Sequence, residues 1–160
     1  MKRFTGTVER LGPVDVASVQ AWLSSIPWEA WPQQDRLADG LVRPAMVNAP
    51  EWHGFYTATT NPVKQAQGYV PRLSRPQQRL LSVVMPGHAI PPHVDKHAAR
   101  WWGRVHFPLT SDPASRFMVG GESHHLDVGQ CYAVNTLAEH SVSNEGGTVP
   151  RVHLVVDWEW

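Results

Sequence analysis

Apolar and polar positions change their spacing near residue 79. Ahead of that point one stretch has helical spacing: Val16, Val19, Leu23 and Ile26 recur on one face, Asp15 is placed to cap it, and Pro27 stops it. Residues 27–78 carry Pro27, Pro32, Pro44, Pro50, Pro62, Pro71 and Pro76, which predicts loops, short strands and at most a helical turn. Beyond residue 79 the chain reads as strands. Leu80 to Met85 is an apolar run stopped by Pro86-Gly87. Arg104 to Leu109 alternates with period two, and Phe117 to Val119 ends at Gly120-Gly121. Gln130 to Val134 follows a turn at Asp127-Val128-Gly129, and Val152 to Val156 closes the series. Short, evenly spaced strands with Gly and Pro turns predict a mainly β fold. The expected architecture is a jelly roll, the double-stranded β-helix of cupin-like proteins, with one or a few N-terminal helices. Residues 1–160 are expected to form a single domain, with 79–158 as its core and 1–78 supporting it.

Composition narrows the classes. Apolar residues make up 42% and charged residues 18%, the balance of a globular chain. Fourteen basic and fourteen acidic residues give zero formal charge, which argues against nucleic-acid or membrane-surface binding. Residues 1–30 hold no long apolar run, so neither a leader nor an anchor is expected. The lone Cys131 excludes an intrachain disulfide and suits a reducing, cytoplasmic setting. Nine histidines make metal binding worth testing.

His93-Val94-Asp95 is an H-x-D pair. Two residues apart on an extended segment, an imidazole and a carboxylate point to the same side. A distant histidine would complete a 2-His-1-carboxylate facial triad, leaving the open positions that Fe(II) oxygen chemistry needs. With nine histidines and fourteen acids, roughly one such pair arises by chance. His125-Leu126-Asp127 is a second one, so the company decides. After His93 and Asp95 come His140, beyond a strand, and then Arg151, opening the last strand. His125 and Asp127 lie too close to His140, no arginine follows His153, and they fit a strand end and turn.

The run from Leu81 through Ser82 to His93 resembles the metal-binding strand of the aspartyl/asparaginyl β-hydroxylase family. That family of 2-oxoglutarate oxygenases includes bacterial free-proline hydroxylases. Arg104-Val105-His106 resembles its next motif, Asn135 to Asn144 its second iron-histidine segment, and Arg151 to Asp157 its terminal arginine strand. The resemblance covers about residues 79–158. It implies that His93, Asp95 and His140 hold Fe(II), and that Arg151 pairs with the distal carboxylate of 2-oxoglutarate. It also implies that Arg104, His106 and Ser82 surround that cosubstrate. A guanidinium fork suits a carboxylate, and Arg104 and His106 share one strand face while Val105, Phe107 and Leu109 take the other. The implied reaction consumes O2 and 2-oxoglutarate, hydroxylates an unactivated C–H bond and releases succinate and CO2. Asp95 makes the chain similar to bacterial members and unlike halogenases, which lack this carboxylate.

A free amino acid or similar small molecule is the expected substrate. The alternatives are an Asp, Asn or Pro residue in a peptide, a cupin-like metalloprotein that does not use 2-oxoglutarate, and a non-catalytic jelly-roll binding module. Trp28, Trp31, Trp52, Tyr56 and the pair Trp101-Trp102 are candidates to wall a pocket, but large aromatics in a small domain more often build core. The oligomeric state is not legible.

Overall fold

The computed structural model describes residues 2–27, 41–42, 54–71 and 74–160. The expectations placed on Trp28, Trp31 and Trp52 lie outside these residues. Among the described residues the elements run β1 (Val8–Pro13), α1 (Ala17–Ser24), β2 (Leu41–Val42), α2 (Phe55–Gln67), β3 (Arg75–Val84), β4 (Ala89–His93) and β5 (Trp101–Thr110). Then follow β6 (Arg116–Val119), β7 (Glu122–His124), β8 (Gln130–Val134), β9 (His140–Ser143) and β10 (Arg151–Glu159). They form two antiparallel sheets, ordered β1-β8-β5-β10-β3-β2 and β4-β9-β6-β7. This is the expected jelly roll.

Period-two alternation gives the larger sheet two faces. One face presents Leu81, Val83, Val105, Phe107, Leu109, Cys131, Ala133, Leu154, Val156 and Trp158 to a core that includes Val19, Val63 and Ala66 of the helices. The other packs Val84, Tyr132 and Val134 against Phe117, Val119 and Val142 of the smaller sheet. Polar residues on that second face, Ser82, Arg104, His106 and Arg151, line a cavity between the sheets. Cys131 is buried and its thiol is pushed up to about 11 by burial, which leaves it inert.

The N-cap of α1 is Val16, one residue later than expected and without a side-chain cap bond; Asp15, just ahead of it, accepts the Ala17 N–H at 2.9 Å. The region 27–78 departs from expectation, because α2 runs for thirteen residues where only a turn was read. Its buried set, Phe55, Thr59, Pro62, Val63 and Ala66, keeps helical spacing, but Pro62 sits inside it. Proline removes the N–H that would bond the Ala58 carbonyl. The Ser18 hydroxyl of α1 supplies that hydrogen bond instead, at 2.9 Å. Trp101 and Trp102 are both buried in β5, Trp102 in the helix-side core. No described helix is long and apolar enough to cross a membrane.

Candidate active site

The smaller sheet brings the two histidines together. β4 and β9 pair Ile90 with Val142 and then His93 with His140, so three residues of β4 advance against two of β9. The extra residue lies at Pro91-Pro92, where β4 is an edge strand and the missing N–H groups cost no ladder bonds. This bulge sets the two imidazoles side by side, with ring centroids 4.2 Å apart and planes tilted by 50°. Asp95 lies just past the end of β4, its N–H bonded to the Thr136 carbonyl at 3.0 Å. One ligand atom from each of His93, Asp95 and His140 falls within 4.8 Å of the others. No other such cluster occurs among the described residues. His93 Nε2 is 3.7 Å from Asp95 Oδ1, and His140 Nε2 is 3.7 Å from Asp95 Oδ2.

The tautomers suit a metal. His93 Nδ1 lies 2.8 Å from the Pro91 carbonyl and His140 Nδ1 lies 3.0 Å from the Ala138 carbonyl. A carbonyl only accepts, so each Nδ1 carries the proton and each Nε2 keeps its lone pair for a ligand bond. Burial pushes the His140 pKa down, which holds it neutral as a metal ligand must be. Two imidazoles and one carboxylate are a donor set that fits Fe(II).

Arg151 opens β10 on the opposite wall, 2% exposed. Among the described residues no acid pairs with it. Its Nη2 donates to His153 Nδ1 at 3.0 Å, its guanidinium carbon lies 5.4 Å from the Phe117 ring centre, and its Nη1 finds no hydrogen-bond partner among the described residues. Burial pushes its pKa down to about 9, still protonated at neutral pH. His153 Nδ1 must therefore accept, and His106 Nδ1 reaches the same nitrogen at 3.3 Å. Burial, with the Arg151 charge second, holds both histidines well below the usual imidazole range. Ser82 faces His153 across the β3–β10 ladder and lines the cavity.

The anticipated residues thus gather around one cavity of about 230 Å³, whose lining also includes Gln78, Leu80, Lys96 and Phe117. Arg104 lines it too, but its nitrogens are engaged by Asp157 and Asp95 rather than left open. His125 and Asp127, 3.8 Å apart, stand outside the metal cluster. The sequence reading missed Asp157, His97 and Thr136. Asp157 shares the period-two face of Arg151 and His153, a signal that was available. His97 and Thr136 sit on loops with no periodicity to mark them.

A jelly roll with a 2-His-1-carboxylate cluster beside a buried arginine defines a non-haem iron oxygenase class. A profile of the family described as aspartyl/asparaginyl β-hydroxylase matches residues 48–159. The chain belongs to this family of Fe(II)- and 2-oxoglutarate-dependent oxygenases. No curated protein matches it. Among solved structures, a 2OG-Fe(II) oxygenase family oxidoreductase from Burkholderia pseudomallei is 17% identical with a TM-score of 0.60, covering 90% of this chain and 77% of that one. AviO1 from Streptomyces viridochromogenes Tue57 is 12% identical with a TM-score of 0.68, covering 96% and 90%. The viral collagen prolyl hydroxylase of Paramecium Bursaria Chlorella virus-1, solved with 2OG, is 6% identical with a TM-score of 0.56, covering 96% of each chain. These three share the fold.

Proposed function

We propose that the chain hydroxylates an unactivated C–H bond of a small, amino-acid-like molecule, with His93, Asp95 and His140 holding Fe(II) and Arg151 anchoring 2-oxoglutarate. The observation that carries this reading is Arg151. A buried guanidinium without a counter-charge costs several kcal/mol, and among the described residues its Nη1 is unpartnered in the wall of the metal cavity. A dicarboxylate chelating the metal at one end would supply the missing anion at the other. Ser82 and His106 line the same wall.

Bound iron would couple oxidation of 2-oxoglutarate to succinate and CO2 with transfer of one oxygen atom of O2 into the substrate C–H bond. The protein's own part is placement. His93 and His140 present lone pairs, Arg151 orients the cosubstrate, and Leu80, Ile90, Phe117, Val142 and Val155 exclude water from the cavity. A cavity of about 230 Å³ lies below the span of drug-sized pockets and suits a cosubstrate with a small second molecule.

The test is anaerobic loading with Fe(II), then 2-oxoglutarate and air, with a panel of free amino acids and short Asp-, Asn- or Pro-containing peptides, and succinate quantified. Turnover should depend on iron, and Asp95→Ala or His140→Ala should abolish it while near-UV circular dichroism is kept. Wild-type succinate from either folded variant would sink the triad. Turnover with peptides alone would move the substrate to a residue in a chain.

A further inference from the structure

Arg104 is enclosed by two carboxylates. Its Nε and Nη2 fork onto Asp157 at 2.9 and 2.8 Å, and its Nη1 donates to Asp95 Oδ2. Asp157 also accepts the Trp101 indole N–H at 3.1 Å. His97 stacks on Trp101 with ring centres 4.0 Å apart and planes 5° from parallel, and it bonds the Thr136 hydroxyl at 2.6 Å. Thr136 in turn holds the Asp95 backbone N–H. Asp95 is thereby tied at its backbone and at one carboxylate oxygen. Its Oδ1 lies 3.7 Å from His93 Nε2.

We propose that Arg104, braced by Asp157, is a positioning residue for Asp95, occupying Oδ2 so that the carboxylate offers a metal one oxygen. This rests on Asp95 being a metal ligand. It departs from the role of a cosubstrate cation, because a cosubstrate anion would have to displace two carboxylates already bonded to the guanidinium. It also explains why the brace is ionic on both sides. A carboxylate free to turn would bind with both oxygens and consume a position that the cosubstrate and dioxygen need. A carboxylate free to wander would bind more weakly.

Metal binding without cosubstrate tests this, because the two accounts of Arg104 predict opposite signs. As a mere charge, Arg104 repels a dication, so removing it would tighten binding. As a positioning residue, its removal weakens binding, by roughly 10- to 100-fold for an outer partner of a ligand. Ni(II) is the probe, since it binds imidazole more tightly than Fe(II) and keeps Asp95→Ala measurable by titration calorimetry. Arg104→Met and Asp157→Asn should each weaken Ni(II) binding, Arg104→Lys should lose less, and in an Asp95→Ala background neither Arg104→Met nor Asp157→Asn should weaken it further. A folded Arg104→Met that binds Ni(II) as tightly as wild type would overturn the proposal, as would equal losses with and without Asp95. If Arg104→Met does not fold, Asp157→Asn in the two backgrounds separates the two accounts in the same way, because a pure charge effect persists without Asp95. Wild-type protein that binds no Ni(II) would instead overturn the metal centre itself, and this inference with it.

Discussion

Arg151→Met tests the cosubstrate assignment most directly. Methionine keeps the length of the apolar stem beneath Phe117 and removes the charge. Among the described residues the wild-type guanidinium is buried with one hydrogen bond, to neutral His153, and one unpartnered nitrogen. A charge-assisted bond to a carboxylate contributes roughly 1.5–3 kcal/mol, so a fork with one arm shared with His153 is worth about 2–4 kcal/mol. That corresponds to a loss of roughly 30- to 700-fold in 2-oxoglutarate affinity. The protein without cosubstrate behaves differently. Removing an uncompensated buried charge costs little or stabilises, so the unliganded variant should melt no lower than wild type. The assay is thermal unfolding under anaerobic conditions with Mn(II), across a titration of 2-oxoglutarate. Wild-type Tm should climb with cosubstrate concentration while the variant's stays flat over the same range. A folded Arg151→Met with an unchanged cosubstrate titration would refute the reasoning.

Stability should fall as pH drops below the ordinary imidazole range. His106 and His153 have native pKa values well below 6.5, so below that value the unfolded chain binds more protons than the native one and stability rises with pH. Each contributes a slope of up to about 1.4 kcal/mol per pH unit. Urea titrations between pH 6.5 and 5 should show this, and His153→Gln should remove about half of the pair's contribution; an unchanged slope would refute the buried neutral state. Ser18→Ala should cost about 1 kcal/mol in urea unfolding by orphaning the Ala58 carbonyl. In a Pro62→Ala background the restored backbone N–H reaches that carbonyl and the cost should vanish, whereas equal losses in both backgrounds would dismiss the exchange.

Strand alternation was legible because a half-buried strand writes its burial into the sequence. Gln130 to Val134 was read to its ends, and the polar face of Arg104 and His106 was read correctly against the apolar face of Val105, Phe107 and Leu109. Alternation did not mark the short strands β1, β4, β7 and β9. β1, β4 and β9 draw their stability from ladder bonds to distant partners, β7 is a three-residue arm of a hairpin with β6, and β4 contains Pro91 and Pro92, which argue locally against a strand. Helix α2 was hidden for a related reason. Pro62 reads as a breaker, and only its neighbour Ser18, forty residues away from the Ala58 carbonyl, makes it tolerable.

The sequence by itself determined the kinds of groups available: the order of His93, Asp95, His140 and Arg151 along the chain, and the side of each strand from which the polar ones project. Side-chain type and period-two geometry are local properties, and local properties are written in the chain. Tertiary structure alone decided the convergence. One added residue at Pro91-Pro92 sets His93 opposite His140, where a regular ladder would set Pro92. It decided equally that Arg104 meets Asp95 and Asp157 while Arg151 meets no acid among the described residues. Two arginines of identical chemistry thus stand in opposite electrostatic environments, because pairing depends on which strands become neighbours, and sequence separation does not encode distance across a sheet.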